Sequence, residues 1–192
     1  LVDIHNHGAM GHDYMEATKE AFDAISGHLI RHGVTCAQCT TVSAPVDELK
    51  NFLRFFRENI WEKQPKGQCR FCGVHLEGPY ISLKNRGAHA AKPLLTAQDG
   101  YEWILKNRDI IREITVAPEL MGMEQMIEAL NGAGIVVSGG HDDAELEEIE
   151  RAARKGMRHC THIYCAMSPL HKTGGQRSSG LCESSLSHDT LT

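Results

Sequence analysis

The segment Leu1-Val2-Asp3-Ile4-His5-Asn6-His7 decides the predicted fold, because it places two histidines at the end of a short apolar run. Residues two apart in a β-strand point to the same side, so His5 and His7 can reach one ion together. Three more residues that could bind a metal close later apolar runs in the same way: Glu77, His141 and His162. Four imidazoles and one carboxylate form a donor set that suits zinc or another divalent transition metal.

Short apolar runs alternate with helical patterns along most of the chain. The predicted strands are residues 1–4, 34–42, 69–77, 114–117, 135–138 and 158–161. The predicted helices are residues 18–33, 43–60, 97–106, 124–130 and 144–155. This alternation predicts an α/β fold: a (β/α)8 TIM-like barrel of the metallo-dependent hydrolase type, incomplete here, with about six of its eight strands. Past Tyr164 the chain is rich in Gly and Ser, and no elements are predicted there.

An open doubly wound sheet is the alternative fold. It would need a glycine-rich phosphate fingerprint after the first strand, and Gly8-Ala9-Met10-Gly11 lacks that spacing and does not lead straight into a helix. The metal candidates also all follow strands, at the end where barrels keep their chemistry. The barrel is therefore the favoured interpretation.

Composition indicates one soluble globular domain. The chain has 192 residues, of which 41% are hydrophobic and 23% charged, and its net charge of −5 gives no reason to expect a nucleic acid partner. No apolar stretch approaches the roughly 20 residues of a membrane span, so no membrane partner is expected either. The chain lacks an initiator Met and opens inside a strand, and we therefore expect a fragment or the ordered part of a longer protein.

Seven cysteines indicate reduced thiols in a cytoplasmic protein. Cys36 with Cys39 and Cys69 with Cys72 each have the C-x2-C spacing of half a four-cysteine zinc site, but the 29 residues between the pairs are more than such sites usually have. In addition, residues 34–42 are prone to form a strand and lack Gly, so residues three apart should face opposite sides. Free thiols are the favoured interpretation, and a structural zinc site is the alternative.

Six short motifs follow one another along nearly the whole chain. They are Asp3-Ile4-His5-Asn6-His7-Gly8, His75-Leu76-Glu77-Gly78-Pro79, Gly87-Ala88-His89, Val116-Ala117-Pro118-Glu119, Gly140-His141-Asp142-Asp143-Ala144 and Thr161-His162-Ile163-Tyr164-Cys165-Ala166-Met167. Taken together, this ordered set resembles the N-acetylglucosamine-6-phosphate deacetylases of the amidohydrolase superfamily. A lone His-x-His would be weak evidence, whereas the ordered set is specific.

The resemblance implies a two-metal site. Glu77, His141 and His162 would hold the main catalytic metal, while His5 and His7 would hold a second ion with Glu77 as the bridge. Zinc is the expected metal, with iron or another divalent ion as alternatives. His75 shares the strand face of Glu77 but receives no ligand role from the resemblance. It is expected either to support the ligands or to be structural.

The resemblance also implies where the substrate binds. Its substrate-binding positions fall on Ala88, His89, Cys165, Ala166 and Arg177. Lys172 and Arg177 are the two candidates for the phosphate contact, and many family members have Asn in place of Cys165. Glu119 is expected to be a carboxylate at a helix start, and Lys84 and Arg86 to lie in a solvated loop.

The resemblance further implies that part of the enzyme is absent from this chain. The general acid/base Asp is expected beyond Thr192, so no catalytic residue is predicted within the chain. Residues 1–192 are then a single partial barrel domain without strands 7–8 and the small β-sandwich. Deacetylation by these 192 residues alone is expected to be poor or absent.

The leading functional hypothesis is removal of the N-acetyl group of N-acetylglucosamine-6-phosphate, which gives glucosamine-6-phosphate and acetate. One alternative keeps the site and changes the substrate to a cyclic amide or an N-acyl amino acid. Another is an inactive metal-binding fragment. The resemblance implies a small phosphorylated amino sugar as the bound partner, and a homodimer in the full-length protein.

Overall fold

The computed structural model describes residues 1–64, 67–173 and 175–192. In chain order the strands are β1 (Val2–Asp3), β2 (Gly8–Ala9), β3 (His12–Asp13), β4 (Cys36–Thr40), β5 (Arg70–Glu77), β6 (Ile111–Val116), β7 (Val136–Gly139), β8 (Met157–Cys160), β9 (His171–Thr173) and β10 (Gln176–Ser178). The α-helices are α1 (Lys19–Arg31), α2 (Val46–Phe56), α3 (Glu102–Leu105), α4 (Met123–Gly132), α5 (Leu146–Lys155) and α6 (Leu181–Ser187).

Six parallel strands form the main sheet, in the order β1-β4-β5-β6-β7-β8. This sheet curls into a half-barrel, which confirms the predicted incomplete α/β barrel. Each neighbouring pair of strands is also consecutive among the strands of this sheet, without the reversal of strand order that a doubly wound sheet requires. The pairs β2-β3 and β9-β10 are small antiparallel sheets outside the half-barrel.

The helices begin and end where local chemistry favours it. The hydroxyl of Thr18 accepts the backbone N–H of Ala21 across 3.2 Å and caps α1, whose buried positions include Phe22 and Ile25. Pro45 directly precedes α2, which continues as a π-helical turn over Arg57–Trp61. The predicted helix boundaries thus agree with the structure to within a few residues at these elements.

Besides the β2-β3 hairpin and the 3-10 turn that follows it (Tyr14–Glu16), which form where no element was predicted, two regions differ from the predicted elements. The single helix predicted over 97–106 is a 3-10 turn (Ala97–Asp99) and the short α3, separated at Gly100. The break falls at Gly100, whose φ of 88° lies outside the helical range, while the capping contact, in which Asp99 accepts the N–H of Thr96 across 2.8 Å, stabilises the start of the turn. The second region lies past residue 164, where β9, β10 and α6 form without a predicted element.

Strand β5 positions the functional site through the alternation of its side chains. Val74 and Leu76 belong to the hydrophobic core. His75 and Glu77 point to the other side, and each is only 1% exposed. Because both faces of β5 are buried, the polar groups on the inner face need partners within the protein.

The cysteines do not form the alternative zinc site in the part of the chain that the structure describes. All seven are free thiols. The described groups of three or more closely spaced potential metal donors contain histidine and glutamate alone. Burial raises the pKa of Cys72 to about 12, as expected for an unreactive thiol. Separately, none of the described helices has the length and apolar character needed to cross a membrane.

Candidate metal centre

Glu77 is the centre of the site, at the last position of β5. Its carboxylate is 1% exposed and lies within 3.6 Å of an imidazole nitrogen from each of five histidines. These are His5, His7, His89, His141 and His162. Within the described chain, the structure therefore brings together all five predicted metal ligands, although they lie up to 157 positions apart in sequence (162 − 5).

The first donor group consists of Glu77, His141 and His162. Glu77 Oε1 lies 3.0 Å from His162 Nε2 and 3.2 Å from His141 Nε2, and the two imidazole nitrogens are 3.2 Å apart. Tetrahedral zinc with bonds of about 2.0–2.1 Å requires donors separated by roughly 3.3–3.4 Å. The three atoms thus form a triangle of nearly the size that one cation would span.

The outer nitrogens of this group have acceptors that orient the rings. His141 Nδ1 lies 2.9 Å from the carbonyl oxygen of Asn85, and His162 Nδ1 lies 3.1 Å from that of Cys165. A carbonyl only accepts, so each Nδ1 carries a proton, and with a cation bound each Nε2 would present its lone pair to the ion. Both histidines also have left-handed backbone conformations, with φ of 49° at His141 and 31° at His162.

The second donor group consists of His5, His7 and Glu77. His7 Nε2 lies 3.1 Å from Glu77 Oε2, and His5 Nε2 lies 3.6 Å from Glu77 Oε1. The backbone of this segment is fixed by β1, because Asp3 accepts the N–H of His5 across 3.1 Å. Thr40, at the end of β4, accepts the N–H of Asn6 across 3.1 Å. Since the two groups share Glu77, its carboxylate has the geometry of a bridge.

His89 contacts the other side of the Glu77 carboxylate. Its Nε2 lies 3.1 Å from Glu77 Oε2, while its Nδ1 accepts the backbone N–H of Ser43 across 2.9 Å. Gly78 makes room for this contact, because a Cβ there would lie 2.1 Å from Ser43 Oγ. The Nε2 proton of neutral His89 is therefore held for donation, so that His89 serves as a hydrogen-bond donor beside the donor groups.

The titration of the site reflects this crowding around one carboxylate. Burial alone would raise the pKa of Glu77, but hydrogen bonds from the imidazoles, led by those of His141 and His162, hold it far below its ordinary value. Burial lowers the pKa of His5 to about 4. For His7, burial is the largest single effect and also acts downward, but the hydrogen bond with Glu77 and the charges of Glu77 and Asp13 together outweigh it and raise the pKa. Glu77 therefore stays ionised inside the protein, and its negative charge suits a bound cation.

A salt bridge joins the long loop after β5 to the segment after His141. Lys84 Nζ lies 2.7 Å from Asp143 Oδ1, and Glu119 accepts the N–H of Asp143 across 2.8 Å. Burial raises the pKa of Glu119 to about 7. The expected helix-start role of Glu119 is wrong, because α4 begins only at Met123 and the carboxylate turns toward Asp143 instead.

The other predicted substrate-binding residues are mostly exposed. The side chains of Ala88 and Cys165 are exposed, and Ala166 is half-buried with a φ of 50°. Arg177 is exposed on β10, where it pairs with Lys172 of β9.

Several supporting residues were not predicted from the sequence. Ser43, Thr115 and Asn85 each contact a histidine of the site from another element. A usable indication existed only for Ser43, which directly follows the predicted strand 34–42. The partner of Asn85 is its backbone carbonyl, which residue type does not reveal.

The chain is similar in sequence to known proteins. No protein-family model matches the chain. The N-acetylglucosamine-6-phosphate deacetylase of Bacillus subtilis is 31% identical over 194 aligned positions, which cover 98% of this chain and 48% of that protein. The predicted resemblance is confirmed.

Solved structures of such deacetylases have the same fold. The Thermotoga maritima deacetylase matches with a TM-score of 0.84 and 32% identity, over 99% of this chain and 49% of that one. A variant of the Mycobacterium smegmatis deacetylase, in complex with N-acetyl-D-glucosamine-6-phosphate, matches with a TM-score of 0.87 and 26% identity, over 100% of this chain and 48% of that one. The chain thus spans about half the length of the deacetylases it matches.

Proposed function

We propose that the chain supplies the metal-binding part of a metal-dependent hydrolase that removes the N-acetyl group of N-acetylglucosamine-6-phosphate. The products are glucosamine-6-phosphate and acetate. The observation that carries the proposal is the convergence of five imidazoles on the buried carboxylate of Glu77, in a fold that matches the deacetylases. The substrate follows from the names of those relatives and from the sugar phosphate bound to the Mycobacterium smegmatis enzyme.

Two divalent cations fit the donor groups. Glu77, His141 and His162 would hold the first cation, and His5, His7 and Glu77 would hold the second cation. Zinc suits this imidazole and carboxylate set, and iron is the alternative. When bound, the cations supply Lewis acidity, which polarises the acetyl carbonyl and lowers the pKa of the attacking water.

The protein groups around the cations bind and orient the substrate. The Nε2 proton of His89 is directed into the site and would bond the acetyl oxygen as negative charge develops on it. Ala88, Cys165 and Ala166 would contact the sugar. Arg177 would contact the phosphate.

We also propose that residues needed to complete the enzyme lie outside residues 1–192. The general acid/base Asp would lie outside residues 1–192, as would strands 7–8 and the small β-sandwich. The matched share of each relative, 43–49%, supports this division. We further propose a cytoplasmic homodimer in which the partner subunit completes the phosphate pocket.

Metal analysis is the first test. Chain purified without chelator should contain two divalent ions per molecule, measured by inductively coupled plasma mass spectrometry. Fewer than one ion per chain would favour an inactive fragment.

A substrate comparison is the second test. The full gene product should release acetate from N-acetylglucosamine-6-phosphate much faster than from N-acetylglucosamine, and equal rates would contradict the phosphate assignment. The 192-residue chain alone should show little turnover with either sugar. Faster hydrolysis of a cyclic amide or an N-acyl amino acid would favour the alternative, an amidohydrolase with that substrate.

A further inference from the structure

His75 is buried directly below the candidate metal centre and contacts one of its histidines. Its side chain is 1% exposed and lies two residues before Glu77, on the same face of β5. His75 Nδ1 lies 3.4 Å from His5 Nδ1 and 3.1 Å from the carbonyl oxygen of Ile4. His75 Nε2 lies 2.7 Å from Thr115 Oγ1. Both ring nitrogens thus have polar partners away from water.

A chain of hydroxyl groups continues from His75 across the sheet. Thr115 Oγ1 lies 2.7 Å from Thr161 Oγ1, which lies 2.6 Å from Ser138 Oγ. All three side chains are buried. Each hydroxyl can both donate and accept, so this chain accommodates a proton on either nitrogen of His75. Thr161 directly precedes His162 in the sequence, so the hydroxyl chain ends beside a residue of the first donor group.

The contact with His5 differs from those of the other histidines. A histidine that binds a cation through Nε2 carries its proton on Nδ1, which then needs an acceptor. Carbonyl oxygens serve His141 and His162 in this way. In the described residues, the hydrogen-bond partner of His5 Nδ1 is His75 Nδ1. In the metal-free chain the proton of His75 lies on Nδ1, because that nitrogen is 3.1 Å from the carbonyl oxygen of Ile4 and 3.8 Å from Glu113 Oε2. His75 can therefore accept from His5 only after its own proton moves to Nε2, where Thr115 is available to accept it.

We propose that His75 is a positioning residue for the second cation: it accepts the Nδ1 proton of His5 and thereby presents His5 Nε2 to the ion beside Glu77. The inference rests on the proposed two-cation site. It assigns His75 no contact with substrate or metal. The competing role is purely structural, in which His75 Nδ1 carries the proton and donates it to the carbonyl of Ile4.

Metal titration of substituted chains separates these roles. Chelator-stripped chain is titrated with Zn²⁺ in a calorimeter, and wild type should show two sites. His75→Leu should weaken the second site about 10–100-fold and leave the first unchanged. His75→Asn places an amide oxygen near the position of Nδ1 and should restore the second site. His75→Gln retains a partner for Thr115 alone and should not restore it.

A matched control and the contrary outcomes complete this test. His12→Leu removes a histidine that contacts Glu16, outside both donor groups, and should leave both sites unchanged. Two wild-type sites together with unaltered affinities in His75→Leu would overturn the role of His75 while leaving the two-cation site intact. A single site in wild type would overturn both.

A measurement on the unsubstituted chain guards against variants that fail to fold. Long-range ¹H–¹⁵N correlation spectra distinguish the two neutral tautomers of a histidine. In the zinc-loaded chain, His75 should carry its proton on Nε2 and His5 on Nδ1. A proton on His75 Nδ1 would show that it donates to Ile4, and the proposal would be wrong.

Discussion

His89 Nδ1 accepts the backbone N–H of Ser43 across 2.9 Å, and this contact determines which face of the imidazole can donate. A backbone N–H can only donate, so the proton of the neutral ring lies on Nε2, facing Glu77 and the donor groups. His89 is thus a fixed donor and not a third imidazole ligand.

Substitution of His89 should therefore separate rate from metal binding. In the full gene product, His89→Leu should lower kcat about 10²–10³-fold, as expected when one donor to a developing oxyanion is removed. His89→Gln retains an amide N–H near the position of Nε2 and should keep more of the activity. Both variants should retain two ions, and loss of metal from His89→Leu would mean that His89 is itself a ligand.

Glu77→Gln should remove both cations, because the substitution deletes the shared carboxylate and preserves side-chain volume. The donor groups keep their imidazoles, but the negative charge that offsets the cations disappears. Metal analysis after dialysis should find less than one ion per chain, and circular dichroism should show a folded protein. Retention of either ion at wild-type affinity would exclude the bridging role.

The two donor groups should respond separately to single substitutions. His5→Asn should weaken the second cation alone, because His141 and His162 still complete the first donor group. His162→Asn should weaken the first cation. Calorimetric titration with Zn²⁺ resolves the two sites. Loss of both ions from His5→Asn would show that the division of ligands between the two sites is wrong.

The Glu113–His159 ion pair should make stability depend on pH. The hydrogen bond with Glu113, 2.7 Å long, raises the pKa of His159 above its ordinary 6.5. The stabilisation from His159 is then full below pH 6.5 and is lost as pH rises through the raised folded-state value. In EDTA, His159→Gln should lower Tm relative to wild type by about 2–4 °C more at pH 6 than at pH 9, equivalent to roughly 1 kcal/mol.

An exposed histidine supplies the control for this pH dependence. His12 lies 3.1 Å from Glu16, but both side chains are more than a third exposed. Because solvent screens such pairs, His12→Gln should show a much smaller difference between the two pH values. A Tm difference for His159→Gln that does not change with pH would contradict the prediction.

The sequence predicted the convergence of the donor groups because period and position were sufficient. Parallel strands meet at one edge, so residues that close successive apolar runs, such as Glu77 and His141, must lie close together. What the sequence could not provide is the partner of each outer nitrogen. Those partners belong to other elements and are often carbonyls, as with Asn85 and His141.

The end of the chain was not predicted for a related reason. Helix α6 lacks a clear apolar period, and tertiary contacts hold it in place. Asp142 accepts the hydroxyl proton of Ser168 across 2.6 Å, and Ser168 Oγ in turn accepts the N–H of Leu181 at the start of α6 across 2.8 Å. Such a relay between distant residues leaves no periodic pattern in the sequence.

The positive φ angles of His141 and His162 lower the stability of the metal-free chain at the positions that form the metal centre. An L-residue in this conformation carries about 1–2 kcal/mol of unfavourable backbone energy, which glycine would avoid and asparagine would reduce. A thermostability screen run in chelating buffer should therefore enrich these two substitutes at both positions. Each selected variant would lack an imidazole that the cation needs. Selection for heat resistance in that buffer would therefore yield a more stable protein that no longer binds the cation.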